Sequence, residues 1–163
     1  MAERSEYVRQ IQRLVSTISD AVVRLGTNPA RPQHFELEFA AANGLRIRTV
    51  HGHLRLLLAE KVTMSNDASA ARGWTARRTA YRYQLHTDDD QEVLAFHWHS
   101  DPDRADSPHL HISAGAGTLR PEFHRAHLPT GEVPLGDFLA FVIRDFAVRP
   151  LRDDYAAVLA SRA

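Results

Sequence analysis

A chain of 163 residues suits one domain, long enough to bury roughly two thirds of the surface its unfolded form exposes, and residues 1–163 read as a single unit. The absence of cysteine excludes disulfides, thiolate metal sites and thiol nucleophiles, so any metal must be held by His, Asp or Glu. Twenty basic residues balance twenty acidic ones, which removes any long-range pull on nucleic acid or anionic lipid and leaves a polyanion partner to a local patch.

Residues 1–26 interleave charged and apolar residues without an apolar run. They are neither a signal peptide nor a membrane span, so no membrane contact is expected and a cytoplasmic location is the default. Between residues 3 and 25 the apolar positions Val8, Ile11, Val15, Ile18, Val22 and Leu25 recur three and four apart, which predicts one amphipathic helix over that span. Gly26, Asn28-Pro29 and Arg31-Pro32 then act as a stop signal and a stiff connection.

From His34 the period changes to two. Phe35, Leu37 and Phe39 alternate with polar residues, Asn43-Gly44 is a tight-turn signal, and Leu45 and Ile47 return, predicting a hairpin. His51-Gly52 marks a further turn. Residues 54–64 read as a strand with a doubly buried part at Leu56, Leu57 and Leu58, and residues 65–73 as a loop. Residues 74–86 form a long strand candidate, and the stretch from Arg72 to His86 carries a basic patch, Arg72, Arg77, Arg78 and Arg82, with no acid before Asp88. Asp88-Asp89-Asp90 turns it into a strand over 92–99. An acidic loop, 100–107, leads through Pro108 to a short strand over 109–114. Helical periodicity resumes after Pro134 with Leu135, Phe138, Leu139, Val142 and Phe146, and Tyr155, Val158 and Leu159 predict a last short helix. This order describes an α+β fold: a mainly antiparallel sheet of five to six strands packed by an N-terminal helix and one or two C-terminal helices.

Chemistry concentrates in two pairs, His97-Trp98-His99 and His109-Leu110-His111. Residues two apart on a strand face the same side, so neighbouring strands can gather four imidazoles. Leu94, Phe96 and Trp98 make the better core face, which puts Val93, Ala95, His97 and His99 on the polar face. On the preceding strand the even residues Arg78, Ala80, Arg82, Gln84 and His86 form a matching polar face. His97, His99, His109, His111 and Arg82 are therefore the candidate catalytic residues, with Arg78 and His86 as candidate substrate contacts.

Two chemistries suit this set. In one, a histidine removes a proton from a nucleophilic hydroxyl, another protonates the leaving oxygen, and Arg82 or Arg78 stabilises charge growing on phosphate, which is RNA cleavage without a cofactor. In the other, His97, His99, His109 and His111 ligate a divalent transition metal (Zn, Fe, Ni or Cu), with Asp101, Asp103 or Asp106 as a further carboxylate ligand. The isolated His34, His51, His53, His124 and His127 read as surface or core residues.

Two family signatures fail on particular residues. The JAMM metalloprotease pattern needs an aspartate where Leu110 stands, and the histidine-triad nucleotide hydrolases need a third alternate histidine where Ser113 stands. A longer stretch is similar to the small bacterial TumE-like toxins of toxin–antitoxin pairs: an N-terminal helix, a hairpin, Tyr81-Arg82-Tyr83, Phe96-His97-Trp98-His99, Pro108-His109-Leu110-His111 and a C-terminal helix. The resemblance implies an antitoxin partner and RNA as substrate. His97-Trp98-His99-Ser100 replaces that family's Arg-x-Asp-Asn, and its Pro-His-His-Lys-His is shortened here. The tail, Leu128-Pro129-Thr130-Gly131 and Pro150-Leu151-Arg152-Asp153-Asp154-Tyr155, resembles an actinobacterial family without assigned activity. A third reading is a non-catalytic binding module whose N-terminal stripe or C-terminal helices engage a partner chain.

Overall fold

The computed structural model describes residues 2–27, 34–39, 44–99, 107–113, 117 and 128–161. The expected connection at Asn28-Pro29, the turn residue Asn43, the acidic loop with Asp101, Asp103 and Asp106, and His124 and His127 lie outside them. The described chain runs α1 (Ala2–Val15), β1 (Val23–Thr27), β2 (His34–Phe39), β3 (Leu45–Thr49), β4 (Gly52–Asn66), β5 (Trp74–Thr87), β6 (Glu92–Trp98), β7 (His109–Ile112), β8 (Leu128–Pro129), α2 (Leu135–Asp145) and α3 (Tyr155–Ala160). The strands form one antiparallel sheet in the order β1-β2-β4-β5-β6-β7-β8, with β3 also paired to β4. The α+β class holds, with eight strands among the described residues rather than five or six.

The two additional strands are β1 and the two-residue β8. β1 is cut from the helix expected over 3–25, which ends at Val15. The cause is local. Ser16 and Thr17 turn their hydroxyls back onto the carbonyls of Arg13 and Leu14, both at 2.7 Å, offering the backbone an alternative to further helical bonds. Gln12 then grips the returning chain through its side-chain amide, donating to Ala21 O at 2.9 Å and accepting from Val23 N at 2.8 Å. Val22 continues the apolar period but is 67% exposed.

The predicted pairing of the first two β segments is also revised. β2 and β3 do not pair with each other: β2 lies against residues 59–63 of β4 and β3 against residues 52–56. The tight connection is the β3–β4 turn, where Gly52 takes φ +139, a value that side chains disfavour.

One sheet face carries the core. Tyr83, Leu85, Leu56, Leu58 and Val62 are buried there with Ile11, Leu14 and Val15 of α1 and Phe138, Leu139 and Val142 of α2. Phe138 stacks on Tyr83 (5.1 Å between ring centroids) and meets Phe96 edge-on at 5.9 Å. Among the described residues no helix is long and apolar enough to cross a membrane.

Candidate metal centre

Strand alternation and cross-strand register build the opposite face. Arg82 pairs with His97 and His97 with His109. Gln84 pairs with Ala95 and Ala95 with His111, so His111 sits diagonally across from His97. Directly paired residues share a face at about 4.5–5.5 Å between Cβ atoms. The two doublets therefore converge, with Trp98 and Leu110 sent toward the core. Ring centroids lie 4.8 Å apart for His109 and His111, 5.2 Å for His97 and His111, and 5.9 Å for His97 and His109. Ala95, fully buried between His97 and His111, contributes only a methyl, which leaves room for two imidazoles.

One ligating nitrogen from each of His97, His109 and His111 falls within 4.8 Å of the others. Zinc–nitrogen bonds of about 2.0–2.1 Å would draw such nitrogens to about 3.3 Å in a tetrahedral site, a change within reach of side-chain rotation. The tautomer of His109 is fixed from outside: a carbonyl only accepts, so its Nδ1 donates to Ser107 O at 2.8 Å and Nε2 carries the lone pair. A metal-binding imidazole is commonly oriented this way. His97 Nε2 is buried with no hydrogen-bond partner, an arrangement an electrophile would relieve. His99 stands above this trio, 5.7 Å from His97 and 6.4 Å from His109 between centroids, and is exposed.

Burial, reinforced by His111, His99 and His109 and partly offset by Glu92, holds the His97 imidazole down at about 4. It is neutral at pH 7, as ligation requires. The unfolded chain takes up that proton near 6.5 and the folded chain near 4. Between those values the unfolded state binds more protons, so the metal-free protein should lose stability as pH falls from 6.5 toward 4. Denaturant titrations across that range check this, with a shallower dependence expected for His97→Asn.

The remaining candidates divide. Arg82 is exposed beside His97. It borders a hollow of about 200 Å³ with Glu36, Ala59, Lys61, Ala80 and His99, in which the two alanines leave space between the cations. His86 is on the same face but two cross-strand pairs from His97, with Arg55 and Glu92 opposite it and Asp90 3.3 Å from its Nδ1. Arg78 is not on this face. Lys61 pairs with Ala80 but Val62 with Arg78, leaving Thr79 as an extra residue; this β-bulge reverses the phase of the strand and turns Arg78 toward the core.

A second bulge supplies what alternation misses. Leu85 pairs with Leu94 and His86 with Glu92, so Val93 is the extra residue and Glu92 joins the histidine face. Its carboxylate accepts from Gln84 Nε2 and Ser113 Oγ, which pins an acid near the imidazoles. Counting by twos from His97 puts Glu92 on the wrong side, and nothing in the local sequence marks the bulge. Comparison of the chain with protein-family models, curated proteins and solved structures gave no match.

Proposed function

We propose that this protein is a histidine-ligated metal protein in which His97, His109 and His111 hold one divalent transition-metal ion and an anionic substrate enters past Arg82. The observation that carries this reading is the convergence of three imidazole nitrogens within 4.8 Å on two paired strands. Among the described residues the donor set is all nitrogen, which suits Zn, Ni, Cu or Fe better than Mg or Ca. Held by these three histidines, the ligands found among the described residues, such an ion would supply Lewis-acid chemistry, lowering the pKa of a bound water. The protein's own residues orient and bind: Ser107 O fixes His109, Arg82 and Lys61 offer positive charge beside the hollow, and exposed His99 is placed to exchange protons with solvent.

Equilibrium dialysis of EDTA-stripped protein against Zn²⁺, Ni²⁺ and Cu²⁺ tests the reading. About one ion per chain is expected for wild type and for His99→Ala, and loss of binding for His111→Ala. Wild-type binding no stronger than that of the His97→Ala/His111→Ala variant would reject it.

RNA cleavage without metal, which the TumE-like resemblance implies together with an antitoxin partner, is the second reading. It draws support from Arg82, a guanidinium suited to phosphate, directly paired with His97. Labelled RNA incubated in EDTA separates the two: cleavage lost in His97→Ala/His111→Ala favours this second reading.

A further inference from the structure

On the core face, away from the histidines, a cavity of about 450 Å³ opens between α1, the first half of β5 and the start of α2. Its volume is in the range of small-molecule sites. Ile11, Leu14, Trp74 and Leu135 give it apolar walls, and Glu60 and Arg78 give it a charged floor.

That floor is unequally satisfied. Glu60, only 2% exposed, accepts from Tyr83 OH, from Tyr7 OH at 3.3 Å and from Arg78 Nη1 at 3.4 Å. Burial, and then the Glu60 carboxylate, hold both phenols well above their usual range, so they remain donors. Arg78 Nη1 also donates to Tyr83 OH at 2.8 Å. The other edge of the guanidinium is short of acceptors: Nε is buried without one, and Nη2 has Glu132 at 3.6 Å, beyond hydrogen-bonding distance. This Nε/Nη2 edge is the fork that takes two carboxylate oxygens. Glu132 is 58% exposed at its side chain, so it can swing into solvent.

We infer that this cavity binds a small organic monocarboxylate, its carboxylate on the Nε/Nη2 edge of Arg78 and its apolar body between α1 and Trp74. Glu132 holds the place of the ligand's carboxylate until it is displaced. One negative charge is favoured over two, because Glu60, Glu132 and Asp137 in the walls already balance Arg72, Arg77 and Arg78. The site is independent of the metal reading, since the sheet lies between the two.

Isothermal titration with benzoate tests the inference, with phenyl phosphate, benzyl alcohol and benzylamine as comparators and circular dichroism as the check on folding. Benzoate should bind most tightly. Arg78→Lys keeps a charge opposite Glu60 but loses the planar fork, and should weaken benzoate at least tenfold. Glu132→Gln removes the internal competitor and should tighten it several-fold. Ala76→Phe, which adds a ring to the cavity wall, should abolish binding. Preference for benzylamine, no benzoate binding by wild type, or binding unchanged in folded Glu132→Gln and Ala76→Phe proteins would each overturn it.

Discussion

Glu60→Ala should cost about 3–5 kcal/mol of folding stability, the range seen when one partner of a buried ion pair is removed. The loss comes less from the missing attraction than from what is left behind. Arg78 is largely buried, its guanidinium 4.6 Å from the Tyr81 ring centroid, and Tyr7 and Tyr83 both donate to the lost carboxylate. Without Glu60 the two hydroxyls lose their carboxylate acceptor, and Arg78, mostly buried, keeps only the long contact to Glu132 as its ion pair. For a chain of this length the melting temperature should drop by about 10 °C or more. Removing both charges is a different experiment. Glu60→Leu/Arg78→Met should recover most of the loss, because apolar replacement of a whole buried pair is often neutral. Guanidinium unfolding of the two variants measures the difference, and a single-variant cost below about 1 kcal/mol would show that water enters to solvate Arg78.

Saturating Zn²⁺ should raise wild-type stability by about 4 kcal/mol when free metal is a thousandfold above its dissociation constant. The melting temperature should rise by roughly 10 °C, and the rise should vanish in His97→Ala and His111→Ala. The reason is topological as well as thermodynamic. β7 has four residues, held by β6 on one side and by the two-residue β8 on the other, so few hydrogen bonds keep it in place. An ion joining His97 of β6 to His109 and His111 of β7 would cross-link the weakest part of the sheet. Amide exchange in residues 109–112 should therefore slow more on metal addition than exchange in the long β4–β5 pair. Removing an orienting contact typically costs a metal site about 10- to 100-fold in affinity, and removing a ligand itself should exceed that.

The sequence made much of this architecture legible because period-two patterning is strong in the long strands. β4, β5 and β6 fall close to the expected spans, and the expectation that Leu110 and Trp98 point inward, which decides the facing of all four histidines, agrees with the register. The differences have particular causes. The apolar positions at Ile18, Val22 and Leu25 extend a helical period that Gln12, Ser16 and Thr17 interrupt through side-chain bonds, and side-chain capture of backbone leaves no trace in periodicity. Single-residue bulges at Thr79 and Val93 break the alternation, taking Arg78 off the expected polar face and bringing Glu92 onto it. Partner choice among strands is equally invisible locally: β4 is long enough to serve β2 and β3 in turn.

The bulge at Thr79 acts as a phase shifter within one continuous strand. Residues upstream of it present their alternate side chains to the helices, and residues downstream present the same parity to the opposite surface, so one segment of chain serves two chambers. Excising this residue would merge the two phases: either Arg78 rotates outward and Glu60 loses its counter-ion, or Arg82 and everything after it rotates inward and the imidazole face loses Arg82. Length changes should not be tolerated at position 79, where the spacing itself keeps the two chambers distinct.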